Sequence, residues 1–110
     1  MELKSINIIQ NEGNGYDDFF LSCEAFIGPE NQYYVYKVYG FNVISIKRLY
    51  NQFLDVDNGI MLNRGWLIMK FYNEKEINQK INSIIKNCIS DNDEHTYQKI
   101  SQYLRLPYEY

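Results

Sequence analysis

Apolar and polar residues alternate without a break from Phe19 to Ile27. Phe19, Leu21, Cys23, Ala25 and Ile27 share one face, and Phe20, Ser22, Glu24 and Phe26 share the other. A period of two is the mark of a strand with one face packed and one face open to water. Leu3 to Ile9 is short and β-branched and reads as a strand before it, separated by the polar, glycine-rich turn Asn11–Gly15. Gly28-Pro29-Glu30-Asn31 is turn chemistry, and Tyr33 to Tyr39 is expected to be a third strand, rich in aromatic and β-branched residues. These three make an antiparallel meander.

The period then changes to that of a helix. Ile46, Leu49, Tyr50 and Phe53 fall at i, i+3, i+4 and i+7, with Ser45 placed to cap the helix N-terminus. Their stripe, Tyr50 included, is expected to face the core. Asp55-Val56-Asp57-Asn58-Gly59 ends this helix in a turn, and Gly65 to Phe71 reads as a mostly buried strand with Trp66 in the core. Asn73 and Glu76 have the spacing of a capping box, and Ile77, Ile81, Ile84, Ile85 and Cys88 form one stripe behind them. A last helix, from about Glu94 to Arg105, presents Tyr97, Ile100 and Leu104 before Pro107 stops it. The expected fold is α+β, in the order β-β-β-α-β-α-α. It has a mainly antiparallel sheet of about four strands and two to three helices packed on one face. The other face is left for a partner.

Composition narrows the function more than it narrows the fold. The 110 residues are expected to form one domain, 1–110. The formal net charge of -3 gives no general attraction to nucleic acid or to an anionic membrane, and neither is expected as a partner. The N-terminus has no signal-peptide pattern, and no run approaches the roughly 20 apolar residues of a spanning helix. Cys23 and Cys88 match no metal spacing and lie in apolar patterns, which fits two buried thiols in a reducing cytoplasm. Eleven tyrosines stand out, but thirteen Asn and fourteen Ile beside one Ala point to an AT-rich genome, which accounts for part of that excess.

No catalytic or metal-binding set is complete. His95 is the only conventional base, and it sits in the polar run Asp91–His95 entering a helix. A pairing with either cysteine would need a thiol taken off an apolar face. Asp55-x-Asp57 and Asp91-x-Asp93 lack the third ligand, the glycine and the closing glutamate of a calcium loop. No metal and no cofactor is expected. Lys47 and Arg48 would stand in the first turn of a helix, where the macrodipole disfavours cations, so each calls for a nearby carboxylate or an anionic partner.

The chain resembles the immunity protein 8 family of bacterial polymorphic toxin systems. The likeness rests on four stretches. They are Glu2–Ile6 at the opening strand, Phe19–Pro29 with its Ile-Gly-Pro ending, Arg64–Ile68 before the long helix, and the tail Pro107-Tyr108-Glu109-Tyr110. Ser45–Leu49 and Tyr97 depart from the family pattern, which has a Pro-x-Trp-Leu-like start and a tryptophan at those places. The resemblance implies a cytoplasmic, non-enzymatic protein that binds a cognate toxin domain, often a nuclease, over its active site or beside it. The contact-dependent inhibition systems are one setting for such a pair. The expected contact residues are Asp17, Asp18, Glu30, Tyr33, Asp55, Asp57, Tyr108, Glu109 and Tyr110, carboxylates for steering and rings for anchoring. On its own the chain is expected as a monomer or weak homodimer. Two other readings stand beside this one: a small hydrolase or nuclease using His95, and a homo-oligomeric structural or regulatory subunit.

Overall fold

A computed structural model describes residues 1–54 and 64–107. The turn expected at 55–59, with Asp55 and Asp57, lies outside the described residues, as does the tail 108–110. The element order is the expected one. It runs β1 (Glu2–Gly13), β2 (Phe19–Gly28), β3 (Lys37–Ser45), α1 (Ile46–Leu54), β4 (Trp66–Met69), α2 (Glu74–Cys88) and α3 (Asp93–Ile100). The sheet order is β1-β2-β3-β4. The first two pairings are antiparallel, and β3 pairs β4 in parallel, so the sheet is mixed. That parallel step needs a crossover connection, which contains α1.

The alternation in β2 has the predicted consequence. Phe19, Leu21, Cys23, Ala25 and Ile27 are buried against Ile77, Ile81, Ile85 and Cys88 of α2 and Tyr97 and Ile100 of α3. Asn73 caps α2 by accepting the Glu76 N–H at 3.1 Å, and Glu74 and Glu76 sit in the first turn where the helix dipole favours them. Ser45 caps α1 as expected, its Oγ accepting the Arg48 N–H at 3.2 Å.

Six boundaries or placements differ from the sequence reading. The first strand runs on to Gly13, taking in Asn11–Gly13 of the expected turn, and the fourth is only Trp66–Met69, with Ile68 exposed rather than buried. The third strand begins at Lys37 and runs to Ser45, so Tyr33 to Tyr36 precede it in an exposed turn. As the inner strand between β2 and β4, β3 is buried on both faces from Tyr39 to Ser45, and no alternation marks it. The last helix ends at Ile100. Leu104 still reaches the core, but Arg105 is already extended and exchanges backbone bonds with Gly40 at 2.7 and 2.9 Å. Trp66 lies outside the core cluster, half-buried, with its ring 6.0 Å from Phe20. In α1, Ile46 and Tyr50 are exposed rather than turned to the core.

Candidate functional site

The turn between β2 and β3 presents the most exposed aromatic surface among the described residues. Tyr33 and Tyr34 are 79% and 88% exposed, and Val35 and Tyr36 are close to half exposed. Four consecutive apolar or aromatic side chains left in water need an explanation, because contiguous patches of this kind mark contact surfaces. Tyrosine is well suited to such a surface. One ring offers large apolar area and a polar tip, with few rotatable bonds to immobilise.

The turn is held, although its side chains are not buried. Asn31 takes the left-handed conformation at φ 65°, which Asn tolerates better than most residues. The Val35 N–H donates to the Gln32 carbonyl at 3.1 Å. Gly28 has to be glycine, because a Cβ there would overlap the Val35 carbonyl oxygen. Tyr36 meets Phe26 of the open sheet face edge-on at 5.4 Å, and the Tyr33 and Tyr34 rings are perpendicular at 5.0 Å. Lys4 fastens the neighbouring strand, donating to the Pro29 carbonyl at 2.7 Å and pairing with Glu2 at 2.9 Å. Between β1 and the turn runs a groove of about 640 Å³ lined by Glu2, Leu3, Lys4, Ser5, Phe26 and the three tyrosines. A rigid aromatic wall loses less freedom on binding than a floppy one does.

The nine contact residues expected from sequence separate into groups. Glu30 and Tyr33 belong to this turn, and among the described residues no ion pair holds Glu30. Asp17 and Asp18 stand at the other end of β2, roughly 30 Å away at about 3.3 Å per strand residue. There they answer the cations of α1. Arg48 Nε donates to Asp18 at 2.8 Å and Arg48 Nη1 lies 3.4 Å from Glu12, while Lys47 is 3.8 Å from Asp17. The carboxylate that the two cations called for is thus in the chain itself. Beside this network, Tyr16 and Phe71 stack at 5.0 Å, both exposed, and the Tyr72 N–H donates to the Tyr16 carbonyl at 2.8 Å. Asp55, Asp57, Tyr108, Glu109 and Tyr110 lie outside the described residues.

Sequence reasoning left out Tyr34, Tyr36 and Phe26. Tyr34 and Tyr36 fall within the strand expected at Tyr33–Tyr39, whose start no alternation marks. Lys37 is the first residue of the observed strand and is exposed, its Nζ 4.6 Å from the centre of the Tyr97 ring.

Among the described residues the chemistry-bearing groups do not converge. Burial pushes the Cys23 thiol up to about 11 and raises that of Cys88, so both stay protonated at neutral pH. His95 Nδ1 lies 2.7 Å from Asp91 Oδ1, one helical turn away and exposed, and the hydrogen bond from His95 holds the Asp91 carboxyl below its usual range. Ser90 bonds Asp91 rather than His95, so the three make no nucleophile–base pair. Among the described residues no group of three or more His, Cys, Asp or Glu side chains could hold a metal ion, and no helix is long and apolar enough to cross a membrane.

Against known proteins, one comparison is informative. A family model described as Immunity protein 8 matches residues 1–110, the full length of the chain. No curated protein and no solved structure matches.

Proposed function

We propose that this chain, which belongs to the immunity protein 8 family, protects its cell by binding a cognate toxin domain directly, without catalysis of its own. Immunity proteins of toxin systems act on a toxin partner, and the family match over the whole chain is the observation that carries this reading. The contact is a protein–protein interface centred on Tyr33, Tyr34 and Tyr36, with Phe26 and Glu30 beside them. Exposure of the rings combined with a pinned backbone supports that choice. Anchors of this type contribute most of the energy of an interface, and residues around them mainly exclude water.

The partner is a nuclease or another enzyme of anionic substrates, met in the cytoplasm by a one-domain protein. The net charge of -3 supports this, because carboxylates facing a basic substrate cleft speed encounter and select the partner. Glu30 is free for this role. Asp17 and Asp18 spend part of their charge on Lys47 and Arg48 and act at most as an outer steering surface. Asp55, Asp57, Tyr108, Glu109 and Tyr110 complete the acidic and aromatic set by sequence alone.

The test is co-expression with the toxin-like product of the adjacent upstream gene. Growth should be restored by this chain and the two proteins should co-purify. Absence of rescue, with both proteins expressed and folded, overturns the reading. A His95→Ala variant that still rescues growth rules against the hydrolase alternative.

A further inference from the structure

We infer that β4 is a pairing edge for a second copy of this chain. The backbone is directed for it. The Asn42 N–H donates to the Gly65 carbonyl at 2.8 Å, so Gly65, Leu67 and Met69 aim their amides at β3. Alternation then directs the N–H and C=O groups of Trp66 and Ile68 to the outer side. Among the described residues no strand lies there, since β4 ends the sheet order.

The two edges of the sheet are built differently. β1 carries two register shifts, with Lys4 and Ile9 as the extra residues, and charged Glu2, Lys4 and Glu12 along it. Bulges and charges of this kind blunt an edge against pairing. β4 has the sequence Trp-Leu-Ile-Met, without a bulge, a charge or a proline, and Ile68 is 54% exposed. Its shortness is the one protective feature it shares with guarded edges.

What fits against it can be read from both faces of the edge. On the helix side, α2 runs antiparallel to β4. Glu76 shares a groove with Ile68 and Met69, and Lys80 shares the next one with Trp66 and Leu67. A groove of about 340 Å³ between them joins all six. A two-fold axis at Leu67, normal to the sheet, sets β4 antiparallel to its copy with Trp66 opposite the copy's Ile68. This register uses the outward amides, because hydrogen-bonded antiparallel partners must both point across the gap. It also brings Glu76 level with the copy's Lys80, and Lys80 level with the copy's Glu76. On the open face the Trp66 ring leans back over its own sheet toward Phe20, and the exposed Ile68 is left at the edge for the copy to cover. Charge and backbone are therefore self-complementary about one axis, the condition for an isologous contact.

The site is separate from the tyrosine turn, so the inference and the toxin reading fail independently. Sedimentation equilibrium of the purified chain over about two decades of concentration tests it. The wild type should approach twice 13.2 kDa at the upper end. Ile68→Lys should stay monomeric with unchanged circular dichroism, because the side chain is more than half exposed and lies outside the core cluster. Glu76→Lys should weaken association at least about tenfold by facing two lysines across the axis, and adding Lys80→Glu should restore it. Rescue of growth by Ile68→Lys should match wild type. A monomer at every concentration overturns the inference, as does a dimer indifferent to Ile68→Lys or a charge swap that restores nothing. A monomer whose Ile68→Lys variant loses toxin binding also overturns it, and assigns the edge to the toxin.

Discussion

Replacing Ser45 with alanine should cost far more than the loss of an ordinary helix cap. The side chain is fully buried where β3 turns into α1. Its oxygen accepts two backbone donors, the Arg48 N–H at 3.2 Å and the Phe19 N–H at 3.1 Å. A serine hydroxyl has two acceptor positions, and here both are used, one to start a helix and one to tie it to the first residue of β2. Loss of an N-cap costs about 1 kcal/mol. The Phe19 amide would then be buried without a partner, adding about 1–3 kcal/mol. The sum is about 2–4 kcal/mol, or on the order of 10 °C in Tm for a chain of this size. Almost no volume is removed, so cavity effects do not enter.

Asn73→Ala supplies the control, since Asn73 is exposed and caps α2 through the Glu76 N–H alone. It should lose only about 1 kcal/mol. Urea denaturation of both variants, with unchanged m-values, makes the comparison. Equal losses for Ser45→Ala and Asn73→Ala would refute the double role of the hydroxyl.

Gly28→Ala should displace the tyrosine turn, because its methyl group meets the Val35 carbonyl. A stability loss of about 1–3 kcal/mol and faster hydrogen exchange at the Val35 amide are expected, and wild-type values for both would contradict the packing described. Alkaline pH should also unfold the protein early. Cys23 rises from 9.0 to about 11 by burial, so its contribution is complete below pH 9.0 and is lost as pH climbs through about 11. In that window the unfolded thiol ionises and the folded one does not, which removes about 2–3 kcal/mol. Cys88, Tyr39, Tyr72 and Tyr97 are displaced in the same direction and steepen the fall. A urea midpoint that stays flat across the window would count against this burial.

Sequence and structure agree where one face of an element is wet and the other dry. β2 and α2 are of that kind, and their periods of two and three to four were legible residue by residue. β3 was not, because a strand covered on both faces shows no period and its aromatic neighbours Tyr33–Tyr36 have the same strand propensity. Trp66 was misplaced for a related reason: four apolar residues in a row do not say which side faces the helices. Ile46 and Tyr50 had helical spacing, but spacing alone does not establish that a stripe is covered.

The candidate site was half legible. Tyr33 and Glu30 could be named from turn chemistry beside an aromatic run. Arg48 was singled out as a cation in an unfavourable helix position, and the sequence could not pair it with Asp18, 30 residues away. Tyr34 and Tyr36 become candidates only once the strand boundary is known.

Whether the tyrosine turn holds the toxin is decided by the affinity of the purified chain for the toxin domain of the upstream gene, by titration calorimetry. Wild type is compared with Tyr33→Ala/Tyr34→Ala/Tyr36→Ala. Tyr33 and Tyr34 stand largely in water and Tyr36 gives up one edge contact with Phe26, so Tm should fall by only a few degrees, while Kd should rise at least about 100-fold if the rings are the anchors. A triple variant that binds within about threefold of wild type, less than about 1 kcal/mol, would remove the turn from the interface.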